Sequence, residues 1–134
     1  MQHDAFIGQV QARARLDSRG AAERATRATL ETLAERVPAT VAEKTAAQLP
    51  QEIGEHLRRV VYSPAEPLTG VRMGQEEFFA LVAQRAGTTY PKAMHMARCV
   101  VEVATEATDG MLAAQVRHTV DDELAGALFA GSTD

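Results

Sequence analysis

Residues 22–33 read Ala22-Glu23-Arg24-Ala25-Thr26-Arg27-Ala28-Thr29-Leu30-Glu31-Thr32-Leu33, and a shift of about 71 positions lays a second helical stretch over them. Arg27-x-x-Leu30-Glu31 then falls on Arg98-x-x-Val101-Glu102, and Glu35 on Glu106. Toward the N-terminus, across one gapped position, Phe6-Ile7 lies near Phe78-Phe79, Val10 near Val82, and Arg13-Ala14 near Arg85-Ala86. Toward the C-terminus, Leu49-Pro50-Gln51-Glu52-Ile53 lies on Val120-Asp121-Asp122-Glu123-Leu124, and Leu57 on Leu128. Agreement of apolar positions over this length points to a duplicated unit, one copy over residues 4–59 and the other over 76–131.

Local signals divide each copy into four helices. Asp4 to Arg15 carries Phe6, Ile7 and Val10 at helical spacing, and Asp17 or Ser18 can cap a second helix running to Val37, where Pro38 stops it. Thr40-x-x-Glu43 has the form of a capping box for a short third helix toward Leu49. Pro50 suits the first position of a fourth helix with Ile53 and Leu57 on its buried face. In the second copy the helices run from Gln75 to Ala86 with Gly87 as the stop, Pro91 to Ala107, Met111 to Thr119 and Asp121 to Phe129. Alternation of period two never persists, so the chain reads as all-α: two tandem, related four-helix units packed into one compact helical domain. The division is residues 1–59, a connector over 60–74, and residues 75–134. Met94 to Val103 is apolar on more than one side, which predicts a buried helix packed centrally against its equivalent from the first copy. Val60, Val61, Tyr62, Leu68 and Val71 make the connector too apolar for a solvated linker, and it is expected to lie in a groove.

The 134 residues are 46% hydrophobic and 24% charged, which excludes a disordered chain, and no apolar run is long enough for a membrane span. Aromatics are only 4% and Trp is absent, so Ala, Leu, Val and Met must build the core. A net charge of -4 argues against a nucleic-acid surface. Arg far outnumbers Lys, and only Arg58-Arg59 form a cluster. A lone cysteine, Cys99, and an N-terminus without signal-peptide character predict a cytoplasmic protein.

The pattern Asp4-x-Phe6-x-x-x-Val10, then Ala22 to Leu33, then Gln48-Leu49-Pro50-Gln51-Glu52 resembles a bacterial family known as domain of unknown function 2267. Glu77-Phe78-Phe79-x-x-Val82 and Arg98-x-x-x-Glu102 repeat its outline in the second copy, where Tyr90 to Met96 has drifted. The resemblance covers nearly the whole chain. It implies a helical fold of two related units and brings no activity, substrate or catalytic residue.

Candidates for chemistry are few. Arg27 and Glu31, like Arg98 and Glu102, stand four apart and can pair on a helix surface, or the arginines can anchor an anion. His95, Cys99 and Glu102 share one helix side at spacings suited to a metal or an activated thiol, but the first copy has no equivalent trio and a buried structural thiol is the simpler reading. His3, His56 and His118 are scattered, and Asp121-Asp122-Glu123 suits a helix start. There is no phosphate loop, paired metal motif or nucleophile elbow. The expectation is therefore a non-catalytic protein-interaction module with no cofactor, binding a protein partner or itself through a groove that involves Tyr62 and Leu68. The alternative is a small-ligand or regulatory domain using a groove between the copies, with Arg27 and Arg98 as anchors.

Overall fold

The computed structural model describes residues 1–64 and 69–132, and among them the secondary structure is eight helices and no strand. They are α1 (His3–Ala14), α2 (Arg19–Arg36), α3 (Ala39–Gln48), α4 (Gln51–Val61), α5 (Gln75–Ala86), α6 (Tyr90–Ala107), α7 (Met111–Val116) and α8 (Asp122–Leu128). Ser18 Oγ accepts from the Ala21 amide at 3.1 Å and opens α2, as Asp121 Oδ1 accepts from the Leu124 amide at 2.8 Å and opens α8. Gly87 ends α5 with φ 68°, a left-handed turn that a residue with a Cβ adopts only at a cost.

Pro38 follows the end of α2 as expected, while Pro50 stands one position before the first residue of α4 rather than at it. Pro38 and Pro50 are N-caps with extended ψ of 151° and 143°, so α3 begins at Ala39 and α4 at Gln51. Thr40 therefore lies inside α3, past the point where its hydroxyl could cap it, and the expected capping box does not form.

Four helices make the centre. α1 and α5 each pack against both long helices, α2 and α6, which also pack on each other. α3 and α4 flank α2, while α7 and α8 flank α6. The boundary between sequence halves is thus no boundary in space, because α1 rests on α6 as well as on α2. Phe6, Phe78 and Phe79 are fully buried, with Phe78 and Phe79 edge-on at 5.4 Å between centroids. Burial of side chains this large stabilises by about 1.5–3 kcal/mol each. On α6, Ala97, Val100, Val101, Val103 and Ala104 are buried as expected, while Met94 and Met96 are only half-buried, packed against the edge of the core.

The connector departs from its expected groove. Val60 and Val61 still belong to α4, while Tyr62 and Val71 are 67% and 43% exposed. What ties the segment down is backbone: Gly70 N–H donates to Val37 O at 2.9 Å and Val71 N–H to Glu35 O at 2.8 Å. Arg36 Nε adds a bond to Met73 O at 2.9 Å, and the Met73 side chain is buried. Leu68 lies outside the described residues.

Candidate functional site

The arginines at the ends of α1 and α5 pair across helices rather than within their own. Arg13 of α1 grips Glu106 of α6 with two hydrogen bonds, 2.7 and 2.8 Å, and Glu102 with a third at 2.7 Å. Arg85 of α5 reaches Glu35 of α2 at 2.9 Å and Thr32 Oγ1 at 2.9 Å. Each half's first helix hands its arginine to the other half's long helix. The expected pairs Arg27–Glu31 and Arg98–Glu102 do not form, because Glu31, Glu102 and Arg98 are each engaged by groups outside their own helix. Glu31 faces Arg59 at 3.6 Å, Ser132 donates to Glu102 from its amide and hydroxyl, and Arg98 Nε donates to Ala127 O at 2.8 Å.

A cleft of about 780 Å³ opens on the other face of α2. Its floor and walls come from α1 (His3, Ile7), α2 (Gly20, Glu23, Arg24, Arg27, Glu31) and α4 (Glu52, His56, Arg59), with Arg85 reaching in from α5. It lies mainly within the first half rather than between the halves. The arginines divide into two kinds. Arg59 and Arg85 are engaged by Glu31 and by Glu35 with Thr32. Arg24 and Arg27, one helical turn apart on α2, are exposed and make no hydrogen bond or ion pair among the described residues.

His56 sits beside them. Arg59 Nη2 lies 2.5 Å from its Nδ1, which makes Nδ1 the acceptor and leaves the ring proton on Nε2. Burial first, then the positive charges of Arg59, Arg27 and His3, push its pKa down to about 4, with Glu55 opposing. The ring is neutral at pH 7.

Of the residues expected to bind a ligand or partner, only Arg27 stands in this cleft, beside Glu31 and the histidines His3 and His56 that the sequence left without a role. Arg98 is spent on the Ala127 carbonyl, and Tyr62 projects into solvent. Cys99 is fully buried with its Sγ 3.7 Å from His95 Nε2, while Glu102 turns away to Arg13, so the suspected trio does not converge. His95 instead borders a smaller cleft of about 510 Å³ with Arg15 and Lys92. Among the described residues no group of three His, Cys, Asp or Glu is placed to hold a metal. Sequence reasoning gave Arg24 and Arg85 no site role, and it set His56 aside as one of the scattered histidines and Arg59 as part of an isolated arginine pair. The available signal was the spacing of Arg24, Arg27 and Glu31 on one face of α2, and of His56 and Arg59 on one face of α4.

Comparison with known families places this helical arrangement. The family described as an uncharacterized conserved protein (DUF2267) matches residues 3–127. The chain belongs to the DUF2267 family. No curated protein matches it. Among the described residues of this DUF2267 chain, no helix is long and apolar enough to cross a membrane.

The cleft of this DUF2267 member also carries a pH signature. An unfolded imidazole takes up its proton near 6.5, whereas His56 in the fold does so near 4. Between those values the unfolded state binds the extra proton, so acidification through that window erodes stability. Glu106 and Glu102 are held below the ordinary carboxylate range, Glu106 by Arg13, Glu102 by Ser132 and Arg13 against the opposing effect of burial. Their loss comes only as pH falls through those lowered values. Melting curves at pH 7 and pH 5 are expected to show a drop that is smaller in His56→Gln. An equal drop in both proteins would show that His56 is not its source.

Proposed function

We propose that the chain is a non-catalytic binding module of a small cytoplasmic bacterial protein, and that its ligand is a small anion held in the cleft of α1, α2 and α4. The observation that carries this reading is the pair Arg24 and Arg27. They face a concave surface with no partner of their own among the described residues, while the other arginines around them are engaged. A guanidinium presents a rigid fork of donors that fits an oxyanion, and two forks one turn apart can share one anion. A volume of about 780 Å³ is in the range of small-molecule sites. The net charge of -4 supports a small anion over a nucleic acid, whose phosphates would meet repulsion beyond the cleft. The non-catalytic part rests on His56, whose pKa near 4 is far from that of a general acid or base working at neutral pH.

The test is a thermal-shift titration of the full chain with sulfate and inorganic phosphate. A saturating rise in melting temperature is expected, because a ligand that binds only the folded state stabilises it. The rise should vanish in an Arg24→Gln, Arg27→Gln double variant and survive in Lys92→Gln, whose side chain lines the other cleft. A rise indifferent to the two arginines, or no rise, overturns the proposal. Docking of a protein partner, or of a second copy, stands second, on the exposure of Tyr62 and Val71. Partner capture that Tyr62→Ala abolishes, with no small anion bound, would put it first.

A further inference from the structure

The cleft is much larger than a bare phosphate needs, and on its α4 wall the one arginine, Arg59, is already paired with Glu31. Across from Arg24 and Arg27, Glu52 of α4 makes no hydrogen bond or ion pair among the described residues, while Glu23, beside the arginines on α2, has only a loose approach of 3.9 Å from Arg19. Carboxylates only accept hydrogen bonds, so these two call for O–H or N–H donors and repel a second anionic group. Ile7 is the single large apolar side chain along the cleft and no Phe, Tyr or Trp lines it, so nothing there shelters an acyl chain. On the same α4 wall, one turn from Glu52, stands His56, whose Nε2–H is a neutral donor.

Resting on the anion-binding reading above, we infer that the cleft takes a phosphorylated polyol, its phosphate on Arg24 and Arg27 and its hydroxyls toward Glu52 on the α4 wall. The ligand carries charge at one end only, and its other end is rich in hydroxyl donors. A sugar phosphate has that pattern, whereas a dicarboxylate sets a second negative charge against Glu52.

Isothermal titration of the full chain with glycerol 3-phosphate, ribose 5-phosphate and glucose 6-phosphate, beside inorganic phosphate and adenosine monophosphate, tests this. At least one phosphorylated polyol should bind about tenfold more tightly than inorganic phosphate, the gain from one or two hydroxyl bonds to a carboxylate. Arg27→Gln should weaken every one of these ligands. Glu52→Gln should weaken the polyol and leave inorganic phosphate unchanged or tighter. Polyols that bind no better than inorganic phosphate, or worse than adenosine monophosphate, overturn the inference while the anion-binding reading survives. If none of the five binds, both fall.

Discussion

Val101→Asp is expected to leave the chain without a stable fold at neutral pH. Val101 is 1% exposed, on the helix that packs against α1, α2, α5, α7 and α8. Its neighbours in the core are apolar, and the charged side chains of α6 are committed elsewhere, Arg98 to Ala127 and Glu102 to Arg13 and Ser132. An isolated buried carboxylate costs several kcal/mol even when it escapes by taking up a proton, against a total stability of about 5–15 kcal/mol for an ordinary domain. The lost valine packing adds to this. Circular dichroism should show loss of helical signal at 25 °C, whereas Val101→Ala should stay folded with a lowered melting temperature, since it leaves only a small cavity. An unchanged melting temperature in Val101→Asp would refute the central position of α6.

Much of this arrangement is legible in the sequence because its signals are local. Ser18, Gly87 and Asp121 mark helix ends through bonds to residues within four positions, and such bonds depend little on what packs outside. Phe6, Val10, Phe78, Phe79 and Val82 are buried where helical periodicity places them. The candidate site was far less legible. Arg27 and Glu31 have the right spacing to pair, but spacing within one helix says nothing about a rival on the next, and Arg59 of α4 takes Glu31. Likewise Tyr62 and Val71 look core-forming by composition, yet backbone bonds from Gly70 and Val71 to the end of α2 fix the connector with both rings and branches left in solvent.

The exchange of Arg13 and Arg85 between halves carries the same lesson further. Aligned residues, Arg13 with Arg85 and Glu35 with Glu106, meet crosswise rather than within their own copy. That pattern supports a duplicated unit whose copies interlock. It also explains why α2 can present Arg24 and Arg27 outward: its inner face is occupied by α5 and α6, and its polar face is left as the wall of the cleft.

The two halves part company at one glycine, and Gly54→Ala is the second substitution with a large expected effect. A Cβ at Gly54 would stand 2.7 Å from Ala46 O and 3.4 Å from Ala46 C, both backbone atoms of α3. Arg58 Nη2 donates to that same carbonyl at 3.2 Å, so the oxygen cannot give way without losing a bond. Position 54 lies inside a helix, where alanine would ordinarily stabilise by about 0.5–1 kcal/mol over glycine. Here the clash outweighs that gain, because overpacking against backbone costs about 1–3 kcal/mol and α3 must move as a whole. A fall of several degrees in melting temperature is expected, with the protein still helical. In the second half the aligned residue is Ala125, and α7 and α8 do not pack closely on each other as α3 and α4 do. The missing methyl group is therefore what lets α4 lie close on α3. Since Arg59 and His56 ride on α4, Gly54→Ala should also weaken anion binding, while an unchanged melting temperature would show that the contact yields more easily than its backbone partner implies.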